Sequence, residues 1–189
     1  MKNPSSDIAF TPAVKALQER FGSRAAYARM EEKGGFTVEI TEDLASFIAE
    51  RDSFYIATAS ADGQPYVQHR GGPKGFLRVL DNHTLAFGDF TGNRQYISAG
   101  NLQENDKVCL FLMDYVNRRR YKIWGTAKVV EDDQELKETV TCKGYKRKPE
   151  CVFVITVKVW DVNCPQHITP RYTKADIESL EECDGCEPK

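Results

Sequence analysis

PYVQHRGGPKGFLRVLDNHTLAFGDFTGNRQYISAGNL, Pro65 to Leu102, decides how this chain is read. Alternation of polar and apolar residues over Pro65–Arg70, Phe76–Leu80 and Thr84–Gly88 predicts three β-strands. Asp81-Asn82-His83 supplies a tight turn between the last two. A short helix follows, with Asn93 or Thr91 as the expected cap and Gly100 near its end. The stretch gathers Gln68, His69, Arg70, Lys74, Asp89, Thr91, Asn93, Arg94 and Gln95 among glycines that let a ligand approach the backbone. Guanidinium, ammonium and amide groups at such places suit a phosphate carried on a flat, hydrogen-bonding ring.

Working outward, the same patterns predict strands at Phe54–Ser60, Lys107–Met113, Arg120–Val130 and Cys151–Trp160. Ala61-Asp62-Gly63 is a hairpin signal between the first strand and Pro65. Pro12 to Lys33 reads as a helix interrupted near Gly22, with Val14, Leu17 and Phe21 spaced for one face. Thr41 caps a second helix, and Leu44, Phe47 and Ile48 point to the core. Asp132 with Glu135, and Thr173 with Asp176, are capping-box signatures for two more. Antiparallel strands with a few short helices predict an α+β fold built on a mainly antiparallel barrel rather than βαβ units. The expected division is a helical extension over residues 1–40, a barrel over 41–170, and a terminal helix and tail over 171–189.

With 189 residues the chain can bury a full core, and a net charge of −2 gives no general attraction to nucleic acid or to acidic membranes. The first residues lack the apolar run of a signal peptide, and no run is long enough to span a bilayer. Six cysteines in a chain with ample core predict reduced thiols and a cytoplasmic protein. Cys183-Asp184-Gly185-Cys186 has no second pair to complete four zinc ligands and reads as tail; no metal is expected. Gly71-Gly72-Pro73-Lys74-Gly75 lacks the spacing of a P-loop, and no dinucleotide fingerprint follows the first strand. No nucleophilic triad is visible.

Gly92-Asn93-Arg94-Gln95 is the expected phosphate turn, joined by Arg70 and Lys74, with Gly71, Asp89 and Thr91 as further cofactor-binding candidates. On the second strand Gln68 and Arg70 share a face and His69 takes the other. Arg120, Lys122 and Trp124 form a mixed aromatic and cationic face that reads equally as a flavin wall or as solvated surface. Asn163, Gln166 and His167, at the end of the last strand, are candidates for a flavin ring edge or a plain turn. The cofactor expected is FMN.

The strings RDSFYIATASADGQPYVQHRGGPKGF, LAFGDFTGNRQYISAGNL, FLMDYVNRRRYKIWGTAKVV and DVNCPQHI resemble the pyridoxamine 5′-phosphate oxidase-related flavin-binding proteins. The resemblance covers most of residues 41 to 168 and implies a split β-barrel that binds FMN between the subunits of a homodimer. It places Arg70 at the family's strand arginine, Gly92–Gln95 at its phosphate turn, and Arg120 where a flavin-contacting glutamine stands. The lysine is displaced to Lys74, and the C-terminal motif that grips the vitamin B6 phosphate has no counterpart. FMN chemistry with an unidentified substrate is therefore the expectation. A non-catalytic flavin carrier or sensor and a haem-binding split barrel are the alternatives.

Overall fold

The computed structural model describes residues 3–145 and 147–184. Seven antiparallel strands form one sheet: β1 (Ser53–Ala59), β2 (Pro65–Gly71), β3 (Arg78–Asp81), β4 (Thr84–Asp89), β5 (Lys107–Asp114), β6 (Arg119–Val130) and β7 (Cys151–Asn163). Their order is β2-β1-β5-β6-β7-β4-β3. All seven expected strands are present, and the fold is the expected α+β split barrel.

Alternation builds the core directly. Phe54 and Ile56, Val108, Leu110 and Leu112, Tyr121 and Ile123, Leu85 and Phe87, and Phe153, Ile155 and Val157 all point inward and are buried. Each such side chain contributes about 1.5–3 kcal/mol when removed from water. Helix α3 (Glu42–Ala49) starts on the Thr41 side chain, which accepts from Leu44 N, and adds Leu44, Phe47 and Ile48 to the same core. The long β6–β7 pair shifts register between Trp124 and Gly125. A Cβ on Gly125 would lie 2.3 Å from the Thr156 carbonyl oxygen, so only glycine permits this approach.

Other local expectations are met in part. Pro12–Lys33 folds as two helices, α1 (Pro12–Arg20) and α2 (Arg24–Glu32), separated at Gly22 with φ +78°. Leu17 and Phe21 face solvent at 50% and 75% exposure, while Gln18 is buried. The inward side is taken by ion pairs, Lys15 to Asp7 at 2.6 Å and to Glu31 at 3.2 Å, with Arg24 on Glu31. Helix α4 (Ile97–Glu104) runs through Gly100 and starts well after Asn93. Helix α5 (Gln134–Val140) is capped by Asp133, not Asp132. Helix α6 (Lys174–Asp184) has the expected reciprocal bonds between Thr173 and Asp176.

The N-terminal hairpin is anchored to the sheet through Phe36, whose ring stacks on Trp124 at 5.6 Å and 3°, and through Trp160, which donates to the Glu39 carbonyl. Among the described residues no helix is long and apolar enough to cross a membrane.

Candidate functional site

The sheet order leaves β2 at one end and β4 next to the other, yet the inward side chains of the two meet. Arg70, at the end of β2, pairs with Asp89 at the end of β4. Its guanidinium carbon sits 5.5 Å from the Phe87 ring centre and 5.1 Å from that of Phe153. Those aromatic faces stabilise the cation where water is largely excluded. Its Nε is buried and has no hydrogen-bond partner.

Around this pair lies a cleft lined by Gln68, Arg70, Asp89, Asn93, Arg94 and Gln95, all expected site residues. Tyr66, Phe90, Tyr96, Ser98, Glu150 and Phe153 complete the wall. Gln68 is fixed by the buried Ser98 hydroxyl, which donates to its amide oxygen at 2.9 Å. The segment from Gly92 is a turn and not a helix start. Asn93 accepts from Gln95 N at 3.2 Å, and Arg94 and Tyr96 hold left-handed φ values of 59° and 53°. Asn93 thus stabilises its own turn instead of capping α4.

The cavity is about 70 Å³. That is far below the roughly 300 Å³ at which pockets begin to enclose whole ligands, so it fits a phosphate and not a ring system. Arg70 and Arg94 supply the cations and Asp89 and Glu150 the carboxylates. Asp89 also acts on its strand partner. Burial first, and Asp89 second, push the Cys151 thiol up to about 11.

Not every expected residue joins the cleft. Lys74 lies outside it, 69% exposed and 3.5 Å from Glu50, because the 72–75 turn carries it away from Arg70. The Thr91 hydroxyl donates to Glu150 at 2.6 Å at the mouth. His69 and Gly71 line a neighbouring cavity of about 230 Å³ that shares Arg70 and Asp89.

Arg120 and His167 lie elsewhere, in an open pocket of about 240 Å³ with Phe111, Met113, Tyr115 and Arg171. Register puts it on the opposite face of the sheet: Tyr55 pairs with His69 and Phe111, and Met113 with Arg120. Arg171 stacks 4.8 Å from the Tyr115 ring, and Arg120 Nε is buried without a partner. Burial, with Tyr55 beside it, raises the Tyr115 hydroxyl. Asn163 pairs with Arg120 through the backbone, and Gln166 precedes His167. Trp124, expected on an open face, is instead covered by Phe36. Cys186 lies outside the described residues.

A pyridoxamine 5′-phosphate oxidase domain matches residues 40–164. The chain belongs to that family. HupZ of Group A Streptococcus is similar at 20% identity, with a TM-score of 0.55 over 70% of this chain and 99% of its own. A putative pyridoxamine 5′-phosphate oxidase from Lactobacillus delbrueckii is 25% identical, with a TM-score of 0.50 over 65% of this chain and 93% of its own. A comparison with curated proteins finds no match. The helices before residue 40 lie outside the family match.

The aromatic seat of Arg70 and the part played by Glu150 were not readable in sequence. Phe87 and Phe153 have the pattern of ordinary core residues, and Glu150 follows a basic loop with no motif of its own.

Proposed function

We propose that this chain is an FMN-binding flavoprotein, and an oxidoreductase whose substrate is unidentified. The observation that carries the reading is the convergence of Gln68, Arg70, Asn93, Arg94 and Gln95 on one phosphate-sized cleft, with a buried Arg70 Nε still lacking an acceptor. Arg70 and Arg94 would hold the phosphate, Asn93 would shape the turn, and Gln68 would meet the ribityl chain. Bound flavin supplies hydride and electron transfer; the protein orients and tunes it. With room for one phosphate and no dinucleotide fingerprint, FMN is preferred over FAD.

A homodimer is part of the proposal. The cleft and the Arg120–His167 pocket lie on opposite faces of one sheet, so one flavin reaches both sets only when a second copy supplies one of them. The outer face between them is rich in apolar groups, with Val67 at 60% and Tyr55 at 38% exposure. The helical hairpin, the barrel and the terminal helix are the proposed units. A cytoplasmic setting accords with four free thiols at Cys109, Cys142, Cys151 and Cys164.

The test is a fluorescence titration with FMN, FAD and riboflavin, combined with light scattering. Binding in the order FMN, then riboflavin and FAD, to a species of two chains and two flavins is the expected result. A haem spectrum or a monomer with full flavin occupancy would overturn it.

A further inference from the structure

The central cation of the cleft already carries an anion. Asp89 pairs with Arg70 Nη1, and the same two residues line both the phosphate-sized cavity beside Gly92 and the roughly 230 Å³ cavity beside Gly71. Glu150 adds a second carboxylate, tied at the mouth by the Thr91 hydroxyl and by its own N–H on the Asp89 carbonyl at 2.8 Å. The formal charge of Arg70, Arg94, Asp89 and Glu150 therefore cancels. A phosphate dianion entering this cavity meets a carboxylate at close range in a partly water-excluded space, where like charges repel strongly. Asp89 is also placed where an incoming phosphate oxygen would bond to Arg70.

We propose that Asp89 is an internal counter-ligand and the specificity-determining residue of the cleft. It holds the Arg70 guanidinium in the absence of an external anion, and it sets how much negative charge the cleft accepts. This rests on reading the cleft as a phosphate site. The side chain has room to act so: Asp89 is 26% exposed, against 15% for Arg70, and it is the carboxylate, not the guanidinium, that lacks an aromatic seat. Moving the carboxylate off Arg70 frees Nη1, at a residue that already borders both cavities, for a bond to the ligand. The cleft thus exchanges an internal anion for an external one. A ligand group with no charge gains nothing from that exchange.

The proposal predicts an unusual sign: removing a residue of the site tightens binding. Asp89→Asn keeps the shape and hydrogen-bonding capacity but drops the charge. FMN should bind at least tenfold more tightly to D89N than to the unaltered protein, and riboflavin should change less than twofold. Inorganic phosphate, measured by calorimetry without flavin, should gain by a similar factor. Both gains should vanish in an Arg70→Gln background, because the effect acts through that guanidinium. Asp89→Ser is the second variant should D89N fold poorly, with far-UV circular dichroism as the check. If Asp89 instead bonds a ribityl hydroxyl, D89N weakens FMN and riboflavin alike, and the proposal is overturned; unchanged FMN affinity also overturns it. If no flavin binds any variant, the flavin reading fails, while the inorganic phosphate arm still decides whether Asp89 is a counter-ligand.

Discussion

Among the described residues Arg70, Arg78 and Arg120 have a buried Nε without a hydrogen-bond partner, and two of them, Arg70 and Arg120, stand at cavities on opposite faces of the sheet. Arg70 is provided for within its own chain, by two phenyl rings and Asp89. Arg120 has no ion pair among the described residues and looks onto an open pocket beside an apolar surface. The difference teaches that the fold itself compensates the inner cation, whereas among the described residues Arg120 has no such compensation. Charge compensation is the mark that separates them.

The strongest way to break this comparison is to remove the inner cation. Arg70→Ala leaves the Asp89 carboxylate without its partner and deletes the two cation–π contacts with Phe87 and Phe153. A loss of about 1–3 kcal/mol in urea-unfolding stability is expected, the range for leaving a partly buried polar group without its partner. Arg120→Ala should leave monomer stability within about 1 kcal/mol and act on flavin binding or dimer mass instead. Equal destabilisation by both would show that neither site differs in kind.

Arg94→Ala should weaken FMN by about 2–3 kcal/mol through a lost charge-assisted bond. Riboflavin, lacking the phosphate, should change much less. Equal losses in a fluorescence titration would move Arg94 out of the phosphate site.

On the outer face, Trp124→Ala removes the stack that anchors the helical hairpin. About 1 kcal/mol of docking energy is at stake beyond simple area burial. Limited proteolysis should then cut before residue 40 first, with the barrel left intact. Simultaneous cutting throughout would mean that the hairpin and barrel are one unit.

The smallest expected effect concerns Cys151. Its folded thiol titrates near 11 against an ordinary value of 9.0, chiefly because it is buried. The neutral form is thus favoured by folding, so this contribution is complete below about pH 9 and is lost as pH rises towards 11. Stability measured across that window should fall less in Cys151→Ser than in the unaltered protein. Alkylation at pH 8 should mark the exposed Cys164 well before Cys151.

The sheet was readable because period-two alternation is enforced by burial. A slip of one residue would turn Phe54, Leu110 or Ile155 outward. Gln68 and Arg70 shared a face for the same reason. Readability failed where tertiary electrostatics overruled local pattern. Val14, Leu17 and Phe21 have the spacing of a buried helix stripe, yet ion pairs of Lys15, Arg24 and Glu31 occupy the inward side. Lys74 has the right charge near Arg70 in sequence, but the direction of the turn sends it to Glu50. The start of α4 was misplaced because Asn93 and Thr91 are good caps whose hydrogen bonds are made elsewhere.

One consequence follows from the strand order. No described backbone pairing joins the β2 end of the sheet to the β4–β3 end, so the barrel has a seam, and the Arg70–Asp89 contact crosses it. An anion bound there by Arg70 and by the turn after β4 is a staple between the two lips. Ligand at one hundred times its dissociation constant would add about 2.7 kcal/mol to the closed state. Amides at the ends of β2 and β4 should therefore be the first in the sheet to slow their hydrogen exchange when the cleft fills, with the central β6–β7 pair least changed.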